Sequence, residues 1–202
     1  MQLYTNPASP FCRKIEVILH EVGKSDDIEK TISIGHPTDT GSMPVNVNPV
    51  GKIPTLVRDE GPALYDSRVI ARYLDQVFGG NLYPESRLWD VLTLEATGDG
   101  LCEAAVLMMY EVRSRPEEGR YPPYVEAQWE KVIRTLDALE SRGMGLLNGP
   151  LNIGQISVGC ALGYIDFRHE GRDWRSGRPA ITDWFANISE RASMKATEPY
   201  AP

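Results

Sequence analysis

Cysteine is scarce in this 202-residue chain: Cys12, Cys102 and Cys160 stand far apart, and no C-x-x-C pair occurs. That excludes a disulfide framework and points to a reducing compartment. Histidine is as rare. His20, His36 and His169 are scattered, no His/Cys/Asp group has metal-ligand spacing, and no metal is expected. Positive charge is in deficit, with 21 Lys and Arg against 28 Asp and Glu for a net −7. Nucleic acid is therefore not an expected partner, because phosphate binding calls for clustered basic side chains. Long apolar runs are missing too: no stretch of about 18 such residues exists to span a membrane. The opening Met-Gln-Leu-Tyr-Thr-Asn-Pro has neither the basic nor the apolar part of a signal peptide. The expectation is a soluble, cytoplasmic protein with no membrane partner.

What is present reads as a globular chain, with 42% apolar and 24% charged residues. Residues 2–5 predict a short strand, broken by Asn6-Pro7, and Phe11, Ile15, Ile18, Leu19 and Val22 recur at helical spacing up to Gly23. Lys30–Ile34 alternates like a strand, and an irregular stretch follows over 35–52. Pro54–Val57 and Ala63–Tyr65 predict two strands joined by Arg58-Asp-Glu-Gly-Pro62. Val69, Ile70, Tyr73, Leu74, Val77 and Phe78 mark the next helix, closed by Gly79-Gly80. The order is a βαβ unit followed by a ββα unit.

Beyond residue 86 strand signals vanish. Ser86–Arg115 is a long helical pattern, weakened at Gly98 and Gly100, and Val125–Leu139 predicts another amphipathic helix. Residues 153–168 are apolar nearly all round, as for a helix buried on several sides. Asn152 and Gln155 fit the N-cap and N3 places of a capping box, with Leu151 and Ile156 as a hydrophobic staple. A last helix carries Ile181, Trp184, Phe185 and Ile188. The division expected is an α/β domain over 1–80 and an all-helical domain over 86–202.

Three places can carry chemistry. Ser9-Pro10-Phe11-Cys12 puts a serine where a strand end meets a helix start. Such a serine either caps the helix or donates its hydroxyl to an anion drawn to the helix N-terminus. In Asn48-Pro49-Val50-Gly51-Lys52-Ile53-Pro54-Thr55, a cis Ile53–Pro54 bond would turn the Ile53 amide outward to pair with an extended peptide ligand. Tyr65-Asp66-Ser67 is a second helix start, suited to a carboxylate, with Asp66 able to hold an ammonium group or simply to cap. Cys12 admits a redox reading, since Ser9-x-x-Cys12 echoes C-x-x-C, or a packing one. Cys102 and Cys160 read as packing residues. Arg113 and Arg115 read either as an exposed basic helix end or as selectors of an acidic substrate.

Ser-Pro-Phe after a first strand, Asn-Pro-x-Gly-Lys-Ile-Pro-Thr-Leu some 40 residues on, and Asp66-Ser67 before a helix with Arg72-Tyr73-Leu74 together resemble the glutathione S-transferase family. The serine-type members, theta-like or bacterial, are the most similar. The resemblance covers the whole chain, through Asn152-x-x-Gln155 and the closing Arg191-Ala192-Ser193-Met194. It implies a thioredoxin-like N-terminal domain with Pro54 cis and a helical domain for the electrophile. It implies further that Ser9 stabilises the thiolate of glutathione, the co-substrate, and that the Ile53 backbone pairs with the cysteinyl part. Asp66 and Ser67 would hold the γ-glutamyl end, and Lys52 or His36 the glycyl carboxylate. A homodimer acting in detoxification is the implied form. Two other functions stay open: a glutathione-dependent peroxidase or disulfide reductase, and a non-catalytic binding module similar to the stringent starvation protein.

Overall fold

A computed structural model describes residues 1–202, which divide into two units, Met1–Tyr83 with Ala192–Pro202 and Pro84–Arg191. The expected division at 80–85 assigned residues 192–202 to the helical domain; their contacts put them with the first unit.

In the first unit, strand β1 (Gln2–Thr5) alternates, burying Leu3 and Thr5. Helix α1 (Pro10–Glu21) follows, and strand β2 (Glu29–Ile32) then pairs parallel to β1. Strand β3 (Thr55–Val57) pairs antiparallel on the other side of β1, for the order β2-β1-β3. The strand expected at 63–65 is reduced to one bridge, Leu56 with Leu64. Pro62 has no N–H to extend the ladder, and Asp66 already caps the next helix, α2 (Ser67–Phe78). That helix stops at Gly79, whose φ of 68° is one that glycine adopts without strain.

The sheet and both helices enclose Leu3, Ile15, Ile18, Leu19, Leu56, Ile70 and Leu74. Val69 and Val77, expected on the buried face of α2, are exposed. From the C-terminus, helix α8 (Ala192–Ala196) packs on α1. There the buried Arg13 donates to the Met194 carbonyl at 3.1 Å and Ser193 donates to the Glu21 carboxylate.

The second unit is helical: α3 (Leu88–Ser114), α4 (Pro122–Ala138), a π-type turn Leu139–Gly143, α5 (Met144–Leu147), α6 (Ile153–Arg168) and α7 (Pro179–Ser189). The glycines that weakened the pattern of α3 do not break it. A Cβ on Gly98 would lie 2.6 Å from the backbone of Ser157 and Val158, and one on Gly154 would lie 2.6 Å from the Leu94 Cβ. The two glycines let α3 and α6 close on each other.

Asn152 caps α6, its Oδ1 accepting from the Gln155 N–H at 3.1 Å. The second half of the expected capping box is absent, because the Gln155 amide instead donates to the carbonyls of Leu146, Gly149 and Pro150. Glu140 in the π-type turn caps α7, accepting from the N–H groups of Ala180 at 3.0 Å and Ile181 at 2.8 Å. No helix is long and apolar enough to cross a membrane.

Candidate active site

Sheet register brings the predicted residues to one end of the first unit. Thr5, the last residue of β1, lies opposite Ile32, the last of β2, and Tyr4 lies opposite Thr55, the first of β3. The loop after β1, the residues before β3, and those after Leu64 therefore leave the sheet at the same edge. Ser9, Ile53-Pro54 and Asp66-Ser67 occupy those three segments.

Ser9 caps α1, its Oγ accepting from the Cys12 N–H at 3.3 Å. Acceptance leaves the hydroxyl proton for another partner, and Pro10 at the first helical position removes one competing N–H. Asn6 holds this loop in shape, donating to the Ser33 carbonyl at 2.9 Å and accepting from the Ala8 N–H at 2.9 Å. Cys12 points into the core, 0% exposed. Burial pushes its thiol up to about 11 against the hydrogen bonds of Ser9, Asn6 and Thr5, so it stays protonated.

The Ile53–Pro54 bond is cis, and Ile53 lies beyond the last paired residue of β3. The turn before it is built by Asn48, a buried residue. Asn48 donates to the Lys52 carbonyl and to Thr55 Oγ1, each at 2.9 Å, and accepts from the Val50 N–H at 3.0 Å. The Lys52 side chain is exposed. His36 is exposed too, in the segment leading off β2, with its Nδ1 3.0 Å from Thr38 Oγ1.

The Tyr65–Asp66 bond is also cis, which no sequence feature indicates. Asp66 caps α2 by accepting from the Arg68 N–H at 3.0 Å, and its other oxygen pairs with the Arg68 guanidinium at 3.0 Å. Burial works to raise this carboxyl. The two hydrogen bonds from Arg68 and the charges of Arg68 and Lys14 outweigh it and hold the group below the usual carboxylate range. Ser67, at the first helical position, is buried.

Sequence reasoning missed Asn48 and Lys14. Asn48 registered only as part of a motif, although an Asn before Pro-x-Gly is a turn-former whose side chain bonds its own backbone. Lys14 is 1% exposed. It sits three residues from Phe11 and four from Ile18, beside the apolar stripe of α1, and that spacing was the available signal. No three His, Cys, Asp or Glu side chains gather as metal ligands would.

A family model described as the glutathione S-transferase N-terminal domain matches residues 8–77, and one described as its C-terminal domain matches residues 122–187. The chain is 31% identical to an uncharacterized GST-like protein, YibF, of Escherichia coli (strain K12), over 98% of each. It is similar to a glutathione transferase family member from Pseudomonas fluorescens Pf-5 crystallised with bound glutathione: 42% identity, 99% of each chain, TM-score 0.95. A structure from the same organism with bound S-(propanoic acid)-glutathione matches at 43% identity over 100% of each chain, TM-score 0.91.

Proposed function

The chain belongs to the glutathione S-transferase family, and from that premise we propose that it is an enzyme joining the thiolate of glutathione to a carbon of a small electrophile. The reading rests on the convergence of Ser9, Ile53-Pro54 and Asp66-Ser67 at one sheet edge. The Pseudomonas relative supports it by holding both glutathione and an S-substituted glutathione, the type of product such an enzyme makes. Burial of Cys12 argues against the peroxidase or disulfide-reductase reading, and retention of all three segments argues against a non-catalytic module.

In this reading Ser9 donates to the thiolate at the N-terminus of α1. A free thiol has a pKa of about 8.5, so little is ionised at neutral pH. A hydrogen bond to a charged group contributes about 1.5–3 kcal/mol and a helix N-terminus up to about 2 kcal/mol. At about 1.36 kcal/mol per pKa unit, the two suffice to lower the thiol by one to three units. Ser9 acts as a donor and not as a base. The Ile53 N–H and C=O pair with the cysteinyl residue. Ser67 and the N-terminus of α2 take the γ-glutamyl carboxylate, and Asp66 takes the ammonium. The Asp66–Arg68 pair is solvent-exposed and contributes only about 0–1 kcal/mol, so a ligand ammonium can share it. Lys52, with His36 as the weaker candidate, neutralises the glycyl carboxylate. A cytoplasmic homodimer working in detoxification completes the proposal.

Calorimetric titration with glutathione tests the site. Binding in the micromolar to low-millimolar range that weakens sharply in Ser67→Ala is expected; an intact protein that binds no glutathione overturns the reading. For the chemistry, Ser9→Ala and Ser9→Gly are compared. Both are expected to lower turnover with glutathione affinity nearly intact. Only the alanine variant loses about 1 kcal/mol of stability, because glycine costs a helix cap merely a few tenths. Unchanged turnover in both variants removes Ser9 from the mechanism.

A further inference from the structure

The capping box at the start of α6 is only half made, and the unmade half leaves an acceptor in a buried place. Gln155 is 3% exposed. Its Nε2 donates to the carbonyls of Leu146, Gly149 and Pro150 at 3.0–3.1 Å, which ties down the loop between α5 and α6. Its Oε1 accepts no hydrogen bond. The fully enclosed side-chain atoms without a partner are Arg13 Nη1, Ser33 Oγ, Ser114 Oγ and Arg178 Nε. Gln155 Oε1 is not enclosed with them. It opens onto a cleft of about 200 Å³ bounded by the α5–α6 loop, the start of α6 and α7, in which Gln155 is part of the wall.

The cleft has two kinds of surface. Leu151, Trp184 and Ile188 give it apolar walls, and Trp184 is fixed because its Nε1 donates to the Leu147 carbonyl at 2.8 Å. Where the cleft meets solvent the charge is positive. Arg191, an exposed residue, lines it. A Cβ built on Gly149, which also lines it, would lie 3.3 Å from Arg87 Nη1, so a second guanidinium stands at the same opening. Arg87 is exposed and pairs with no carboxylate. No lining side chain is acidic, in a chain of net charge −7. All these residues belong to the second unit, and none to the segments assigned above to glutathione.

We propose that this cleft is a binding site for a small aromatic acid that carries a hydroxyl, a molecule of the hydroxybenzoate type. The ring lies among Leu151, Trp184 and Ile188, the hydroxyl donates to Gln155 Oε1, and the carboxylate faces Arg87 and Arg191. Each feature excludes another class of ligand. The unpaired amide oxygen disfavours a purely apolar occupant, which would strip it of water and give no donor in return. Two guanidiniums disfavour a cation. The size disfavours a second ring system, since pockets for drug-sized ligands run to about 300–1,000 Å³. The proposal does not depend on the transferase reading.

The test is a titration of the ¹⁵N-labelled wild-type protein with 4-hydroxybenzoate, followed by amide resonances. Binding with a dissociation constant of about 1 mM or tighter is expected. The Gln155 side-chain amide and the Trp184 indole N–H should be among the resonances that shift. Binding weaker than about 10 mM, or binding that moves neither group, overturns the proposal. Benzoate lacks the hydroxyl and 4-hydroxybenzamide lacks the charge. Each is expected to bind at least about threefold more weakly than 4-hydroxybenzoate, and equal affinity for either one overturns the proposal. Arg87→Gln changes an exposed side chain. There the affinity for 4-hydroxybenzoate is expected to fall at least about threefold while that for 4-hydroxybenzamide stays as it was. No fall, or a fall shared equally by the two compounds, overturns the proposal.

Discussion

Cys12 sits one turn into α1, three residues past the serine cap, an address where a helix N-terminus favours a thiolate. Burial outweighs the address: the side chain is fully enclosed and its thiol is raised to about 11. Cys102 and Cys160 are buried as well. A thiol-reactive disulfide reagent at pH 7.5 is therefore expected to label none of the three in the native protein and all three after unfolding, and Cys12→Ala should keep turnover within about twofold. Loss of turnover in that variant would restore the redox reading. Asp66 is the opposite case, a carboxyl whose pKa lies below its ordinary 3.8 because Arg68 and Lys14 favour the anion over the cost of burial. A depressed carboxyl stays charged as pH falls and is lost only below its ordinary range. Glutathione affinity is accordingly expected to stay flat from pH 7 down to about 4.5. In Arg68→Ala, burial meets less opposition and the acid limb moves to higher pH; calorimetric titrations across that window would show the shift, and coincident profiles would refute it.

On α3 two glycines two residues apart have opposite meanings. A Cβ at Gly98 would collide with the backbone of α6 at 2.6 Å, where no side chain can swing aside, whereas one at Gly100 would meet nothing within 4 Å. Gly98→Ala is expected to cost about 1–3 kcal/mol through overpacking. Gly100→Ala should stabilise by about 0.5–1 kcal/mol, because an exposed helix interior favours alanine. Thermal unfolding of the two variants reads the sign directly, and a loss in both would mean that the helix tolerates no change there for some other reason. The caps of this unit show the same division of labour. Asn152 caps its own helix from one residue away, but the cap of α7 comes from Glu140, about 40 residues earlier in the chain.

For the whole molecule, the chain builds the first unit, runs through the second, and returns its last eleven residues, Ala192–Pro202, to the first. The return completes a core. Met194 is 1% exposed, and the Arg13 guanidinium depends on the Met194 carbonyl, one of its nitrogens being buried without a partner. Deleting residues 192–202 should therefore destabilise the first unit by at least about 3 kcal/mol, a charged hydrogen bond plus a buried apolar side chain. Faster amide exchange in α1 of the truncated protein is the expected observation; unchanged protection there would show that the tail only rests on the surface.

The amino-acid order by itself determined the element types, the helix 153–168 among them and all but the strand expected at 63–65, because each rests on local periodicity and local caps. Ser9, Ile53-Pro54 and Asp66-Ser67 were legible for the same reason: each lies at a junction that short-range rules mark as a turn or a helix start. Tertiary structure alone decided how those junctions meet. The parallel pairing of Thr5 with Ile32 and the antiparallel pairing of Tyr4 with Thr55 join residues some 27 and 51 positions apart, which no local preference encodes. It likewise decided that Lys14 and Cys12 are buried, that Gly98 is a contact and not a weak point, and that residues 192–202 belong to the first unit. Burial is a property of what packs from elsewhere in the chain, and a residue's own neighbours in sequence state only what it is able to do there.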